Sequence, residues 1–206
     1  MADDSWFRNS DWNEEIARAF EQKLKRARRK SQYLRIQACT LASTKPRVAL
    51  ELLDRYFALG DDFDHAQAHV DRATAFLALG QLDLAFQAYE AALEREQVFP
   101  NLRTGAYLDL PYLIAVNGVS ERFDQAMNML TSSESQLMFP VDHFKHHAAR
   151  ALILAHHDLP AARSAARLAL EAAALDRSGF RYHPSIGLVS DRHVQALSKL
   201  RGLCDA

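Results

Sequence analysis

The segment LDLAFQAYEAAL, residues 82–93, decides the fold because its pattern recurs three more times along the chain. Its apolar residues lie three or four positions apart, a spacing that places them on one face of an α-helix. The related segments are PRVALELLDRYF at 46–57, LPAARSAARLAL at 159–170 and FDQAMNML at 123–130, where the match stops at Ser133 and Glu134. The pattern therefore predicts four similar helices.

One position of this pattern is alanine in all four segments. The residues are Ala49, Ala85, Ala126 and Ala162, at intervals of 36, 41 and 36 residues. A small side chain lets two helices approach closely, while the larger apolar neighbours fill the space between them. The intervals indicate a repeated unit that contains one such helix and a partner helix.

Composition and periodicity predict an all-α protein of about ten helices, because alanine and leucine are abundant and glycine is rare. The first helix is expected at 12–30, with Asp11 as N-cap and Glu14 as its capping-box partner. The other helices are expected at 31–43, 46–59, 63–79, 82–97, 101–117, 121–132, 140–157, 159–176 and 190–202. Their breaks coincide with Pro46, Gly60, Gly80, Pro100, Gly118, Pro140 and Pro160.

A repeated helix–turn–helix unit of about 34 residues is the tetratricopeptide repeat, or TPR. Residues 66–100 resemble it through Ala73, Phe76, Gly80, Ala85, Tyr89, Ala92 and Pro100. Residues 143–170 are similar but carry His157 in place of the turn glycine. The flanks WFRNSDWNEE and SGFRYHPSIG also resemble those of bacterial tetratricopeptide proteins. The alternative is an alanine-rich helical bundle whose periodicity matches by coincidence.

The resemblance implies a right-handed solenoid of about four helix hairpins over residues 31–176. Capping helices are expected at 12–30 and 190–202. The whole chain, 1–206, is expected to be a single domain, with residues 1–30 as a basic N-terminal segment and 177–206 as a linker and cap.

In such a solenoid the first helix of each hairpin lines a concave groove. The resemblance implies that the groove residues are Gln67, Val70, Thr74, Leu77 and Ala78 in the second unit and Phe144, His147, Ala151 and Leu154 in the fourth. Tyr107 and Tyr112 join them if Pro111 kinks its helix and widens the groove, although a tolerated insertion explains Pro111 equally well. The groove lacks the Lys and Asn set that binds a C-terminal carboxylate in some family members. The expected partner is therefore another protein's amphipathic helix or extended apolar peptide.

The stretch KLKRARRK, 23–30, is the second candidate site. Its anion-binding candidates are Lys23, Lys25, Arg26, Arg28, Arg29 and Lys30. They could contact phosphate groups, which makes a nucleic-acid-associated regulator the first rival function. No aromatic residue interleaves with them to stack bases, so a solvated helix face is favoured and nucleic acid is not the expected partner. The second rival is a self-associating scaffold, in which the chain forms a homodimer.

The stretch DHFKHHAARALILAHHD, 142–158, holds five of the nine histidines. The pairs His143–His147 and Asp142–His146 point about 100° apart around a helix and cannot share one ion. No metal-binding motif completes either pair, so a solvated or rim histidine cluster without metal is expected. His147 is expected to face the groove.

The sequence predicts a non-enzymatic, cofactor-free protein. The stretch HPSIG, 183–187, has a histidine where a nucleophile elbow around Ser185 requires glycine, and no glycine-rich phosphate loop is present. Cys39 and Cys204 lie outside any motif and are expected to be inert thiols in a reducing compartment. With no signal-peptide pattern and no apolar run of membrane-spanning length, a cytoplasmic location is expected.

Overall fold

The computed structural model describes residues 5–60 and 63–205, and every regular element in these ranges is helical. The helices are α1 (Glu14–Arg26), α2 (Lys30–Leu41), α3 (Pro46–Phe57), α4 (His65–Ala78), α5 (Leu82–Val98), α6 (Ala106–Asn117), α7 (Phe123–Ser133), α8 (Pro140–Leu154), α9 (Leu159–Ala173) and α10 (Val194–Asp205). Short 3₁₀ turns occupy Ser120–Arg122, Glu134–Gln136 and Asp191–His193. The all-α prediction is confirmed. None of the described helices combines the length and apolarity needed to cross a membrane.

The first helix differs from its prediction at both ends. Asn13, rather than Asp11, is the N-cap, because its side chain accepts a hydrogen bond from the Ile16 N–H at 2.9 Å. Asp11 instead accepts from the neighbouring Trp12 N–H. The helix ends at Arg26, since Ala27 adopts an extended backbone conformation. Repulsion among like charges one turn apart disfavours a helix that continues through the basic stretch.

The chain divides into two compact units, the first ending at Ala106 and the second beginning at Tyr107. In the first unit α2 packs on α3, α3 on α4, and α4 on α5. In the second unit α8 packs on α9, and α10 contacts both of these helices. These pairs occur in the order expected of helix hairpins, whereas the right-handed solenoid and the single domain stay predictions.

The shared alanine position lies in the interior of both units. Ala49 and Ala85 in the first unit, and Ala126 and Ala162 in the second, are each 0% exposed. At such a position a larger side chain would have to displace neighbouring atoms, because protein interiors are close-packed. The prediction that this position sits between closely packed helices is supported by its burial in all four cases.

Two interior turns depend on glycine. Gly80 follows α4 with φ +71°, and Gly118 follows α6 with φ +68°. Beyond each glycine, an N–H reaches back to the helix, from Gln81 to the Phe76 carbonyl at 2.9 Å and from Val119 to the Ile114 carbonyl at 3.1 Å. This geometry closes a helix C-terminus and needs a left-handed residue. The C-terminal end of α8 has no glycine and no left-handed residue.

The N-terminal segment packs against the core of the first unit through Trp6, Phe7 and Trp12. The Trp6 ring lies 5.4 Å from Phe20 and 4.8 Å from Tyr33, measured between ring centroids. Trp12 contacts Phe20 from another side at 5.5 Å. Aromatic rings bury large apolar areas, so this cluster holds the segment firmly.

A buried amide adds polar specificity to the same segment. Gln37 on α2 is 0% exposed, and its side-chain oxygen accepts from the Asn9 backbone N–H and side-chain amide, both at 3.0 Å. The Gln37 amide nitrogen donates to the Asn9 carbonyl at 2.8 Å. Because both polar ends of the buried side chain are satisfied, the burial costs little and fixes the register of the segment.

The connection from α9 to α10 folds into a loop that rests on the start of α8. Within it, the Ser178 N–H donates to the Pro184 carbonyl at 2.8 Å. HPSIG forms a turn in which the Ile186 N–H donates to the His183 carbonyl at 3.1 Å. The loop is held to α8 by the Val141 N–H, which donates to the Gly187 carbonyl at 2.8 Å, and by stacking of Phe180 on Phe139. Gly187 has φ +67°, and a side chain there would meet Phe139 at 2.5 Å.

Candidate partner-binding faces

The predicted groove residues of the first unit form one strip along α4. Gln67, Val70, Thr74 and Leu77 are half-buried and Ala78 is exposed. Their spacing of three or four positions places them on one side of the helix. The Thr74 hydroxyl is satisfied locally, since it donates to the Val70 carbonyl at 3.1 Å. The strip, called the α4 strip below, is uncharged and partly accessible.

A small cavity of about 180 Å³ lies at the Gln67 end of the α4 strip. Among its lining residues, Phe63 is 62% exposed and Leu102 is 37% exposed. Thr104, which also lines it, is held by Glu96, whose carboxylate accepts from the Thr104 N–H at 2.9 Å. Exposed apolar side chains around a concavity suit the burial of an apolar anchor from a partner.

A charged network lies beneath this end of α4, and sequence reasoning missed it. Arg35 on α2 donates to Asp64 at 3.1 Å and to Asp71 at 3.3 Å. Gln67 donates to the other Asp71 carboxylate oxygen at 3.2 Å. Burial raises the pKa of the Asp71 carboxyl, while the bonds from Gln67 and Arg35 oppose that rise. The available signal was the position of Asp71 on the same helix face as the alanines at 68 and 75.

In the second unit the structure places three predicted groove residues in the core. Phe144 and Ala151 on α8 are 0% exposed, and Tyr112 on α6 is 7% exposed. His147, Leu154 and Tyr107 are half-buried. α6 is apolar around much of its circumference, and it continues through Pro111 rather than breaking there. A helix of this kind belongs inside a packed unit, not on the wall of an open groove.

The residue that covers this core is His193, from the turn before α10. Its Nδ1 lies 2.8 Å from the Tyr112 hydroxyl, and its ring centroid is 5.1 Å from that of Phe144. Partial burial, with Lys145 and Arg192 nearby, lowers the pKa of His193 to about 4. His193 is therefore neutral at pH 7. Burial raises the pKa of Tyr112, so both partners of this hydrogen bond are uncharged.

Two lysines make further contacts with α6. The Lys199 ammonium on α10 donates to the Val116 carbonyl at 2.7 Å, at the C-terminal end of α6. A cation is favourable there because the last carbonyls of a helix are unsatisfied and partially negative. Lys145 on α8 pairs with Asp109 at 2.6 Å. No local sequence pattern indicates the bonds made by His193 and Lys199, since their partners lie 81 and 83 residues away.

The histidine stretch is not uniformly solvated, which corrects that expectation. His143, His156 and His157 are exposed, but His146 is 0% exposed. Neither ring nitrogen of His146 has a hydrogen-bond partner among the described residues. Burial, with the His147 ring beside it, lowers the pKa of His146 to about 4. Across residues 5–60 and 63–205, no group of three or more His, Cys, Asp or Glu side chains is placed to hold a metal ion.

The basic stretch spans the junction of α1 and α2 rather than one helix. All six of its Lys and Arg side chains are exposed, and none forms an ion pair with a described residue. Arg29 lines a cavity of about 370 Å³ together with Arg35, Ser31, Gln32, Phe63 and Asp64. Arg35 is already paired there, so Arg29 is the unpaired cation of the described lining.

No family model, curated protein or solved structure matches the chain.

Proposed function

We propose that the protein is a non-enzymatic adaptor of the tetratricopeptide type, which binds an amphipathic helix or extended apolar peptide of another protein. The observation that carries the proposal is the α4 strip. It is an uncharged, partly accessible row of side chains on the first helix of a hairpin, where the resemblance assigns the groove. A partner helix would cover this row with its own apolar face.

The surroundings of the α4 strip suit binding at low entropic cost. The network of Arg35, Asp64 and Asp71 joins α2 to α4, and Gln67 is tied to Asp71. A surface that is already ordered loses less conformational entropy when a partner binds. The cavity beside Phe63 and Leu102 then receives one apolar side chain of the partner. Affinity would come mainly from that anchor.

The test is a nuclease-treated pull-down from lysate of the native host, with wild type and Val70→Glu compared side by side. A buried carboxylate facing an apolar partner is expected to reduce retention about tenfold or more. Leu84→Glu is the matched control, because Leu84 is 39% exposed on α5, outside the α4 strip. Leu154→Glu on α8 tests in the same way whether the second unit binds a partner, and Leu168→Glu on α9 is its control.

The proposal requires proteins that wild type and Leu84→Glu retain and Val70→Glu loses, with helical content and melting temperature unchanged. Equal retention by Val70→Glu and wild type would contradict it. Mass that rises with protein concentration in the absence of any partner would instead support the self-associating scaffold.

A nucleic-acid-associated role is the second candidate, favoured by six exposed cations without ion pairs to described residues. Contacts of this kind release counterions, so binding should weaken steeply as salt rises. Replacing Arg28 and Arg29 with Ala should lower both the affinity for a mixed-sequence oligonucleotide and the salt slope. Retention in the pull-down that survives Val70→Glu but disappears with nuclease would favour this role.

A further inference from the structure

In the second unit, the chain's own C-terminal segment covers the face that the resemblance assigns to a partner. Tyr112 and Phe144, both predicted groove residues, are covered by His193 immediately before α10. α10 then packs on α8 and α9. An amphipathic helix of the kind expected in a partner therefore already lies against this unit.

The contact made by this segment is polar at three points, and apolar residues lie among them. At one point the Leu203 carbonyl accepts a hydrogen bond from the Arg163 side chain on α9 at 3.2 Å. His193 pairs with Tyr112, and Lys199 donates to the Val116 carbonyl at the end of α6. Between and beyond them, Ala196 and Leu200 are 0% exposed. The face thus recognises a helix with a small and a large apolar residue four positions apart and a lysine beside the larger one.

The fit of α10 is incomplete. α10 fully buries two of its twelve residues, whereas α8 buries eight of fifteen. A cavity of about 320 Å³ remains where Gly202 and Leu203 face α6 and α8. A Cβ atom added at Gly202 would meet no atom within 4 Å. Helices with few buried contacts are the elements that open locally before the rest of a protein unfolds.

We infer that α10 is a displaceable occupant of the second unit, and that the partner which replaces it is an amphipathic helix with the chemistry of α10 itself. This inference rests on the proposed function and specifies its partner. A residue larger than glycine at the position of Gly202 would let the partner fill the cavity that α10 leaves. The partner would retain the lysine that reaches the end of α6.

The probe is a fluorescent synthetic peptide of residues 190–205 that carries Gly202→Leu, titrated into full-length protein and followed by anisotropy. Two chain variants change the occupant without changing the face beneath it. Lys199→Met removes the bond to α6, and Gly202→Ala strengthens α10 through its higher helix propensity. Arg47→Met is the matched control, since Arg47 is an exposed cation on α3 in the first unit and lies outside both candidate sites.

The apparent affinity of the peptide should follow the fraction of molecules in which α10 is displaced. Lys199→Met is expected to bind about three- to tenfold more tightly than wild type. Gly202→Ala is expected to bind about two- to fivefold more weakly. Arg47→Met should match wild type. Hydrogen exchange of residues 194–203 should change in the same order, which excludes a peptide effect elsewhere.

Equal peptide affinity for the wild-type, Lys199→Met and Gly202→Ala chains, or no binding to any of them, would overturn the inference. Failure of the proposed function is distinguishable from this result. If the peptide titrations follow the expected order but Val70→Glu and Leu154→Glu lose no lysate protein, α10 is displaceable and the adaptor proposal fails. If those variants lose a partner whose retention is the same in wild type, Lys199→Met and Gly202→Ala, the adaptor proposal is supported and the inference about α10 fails.

Discussion

The first and second units secure the two ends of the chain in different ways. In the first, aromatic side chains and the hydrogen-bonded amide of Gln37 hold the N-terminal segment. In the second, α10 is held by two buried apolar residues, by the bonds of His193 and Lys199, and by the bond from Arg163 on α9 to the Leu203 carbonyl. Large apolar burial makes the first attachment part of the core, whereas the second relies on few contacts and can be released.

The largest expected effect comes from truncating the aromatic cluster. Phe20→Ala removes a side chain that is 1% exposed and contacts both Trp6 and Trp12, and it should cost about 3–5 kcal/mol of unfolding free energy. Leu200→Ala in α10 should cost about 2 kcal/mol, because α10 can detach without unfolding α8. Urea unfolding with segment-resolved hydrogen exchange measures both. A global loss of the same size for Leu200→Ala would contradict the comparison.

Acid should affect the second unit more than the first. Burial lowers the pKa of His146 and His193 from 6.5 to about 4 and also lowers that of His147, whereas in the described part of the first unit only His69 is lowered, again to about 4. As pH falls, these histidines bind protons in the unfolded chain at a higher pH than in the folded chain. The stability that they contribute as neutral groups is therefore fully present above pH 6.5 and is lost as pH falls towards 4.

The expected loss is on the order of 3 kcal/mol for buried His146 and less for half-buried His193. Hydrogen exchange at pH 7, 5.5 and 4.5 should therefore show protection falling in α8 before it falls in α3. The opposite order would show that the buried histidines do not set the acid sensitivity.

A single substitution sharpens this prediction with a smaller effect. His146→Met replaces a buried ring without hydrogen-bond partners among the described residues by an apolar side chain of similar size. The unfolding free energy at pH 7 should stay equal or rise by about 1 kcal/mol, because an unsatisfied polar group leaves the core. The loss of stability between pH 6.5 and 4 should shrink. His157→Met, at an exposed site, is the control and should change neither quantity.

Much of the helical framework was predictable because its signals are local. Each expected helix corresponds to an observed one, since apolar periodicity, proline and glycine act within a few residues. The exception at α1 has a local cause as well. Two side chains could cap that helix, and the Asn13 geometry rather than that of Asp11 matches the Ile16 N–H.

The candidate faces were only partly predictable because exposure depends on what packs from elsewhere in the chain. On α4, Val70 and Leu77 remain accessible, as the repeat pattern implies. On α8, the same pattern gave Phe144, but the turn before α10 covers it. Nothing in the spacing of residues near Phe144 carries information about a histidine some fifty positions later. Periodicity identifies the inward and outward sides of a helix, but not which outward side a later segment occupies.

The docked loop before α10 has a kinetic and thermodynamic consequence. Because Gly187 is pinned against Phe139 and bonded to Val141, only residues 188–190 separate the fixed loop from the turn that starts α10. So short a tether gives α10 a high effective concentration, on the order of millimolar, at its own docking face. A free helix with the same affinity as α10 must be present above that concentration to displace it. A helix that binds more tightly needs proportionally less.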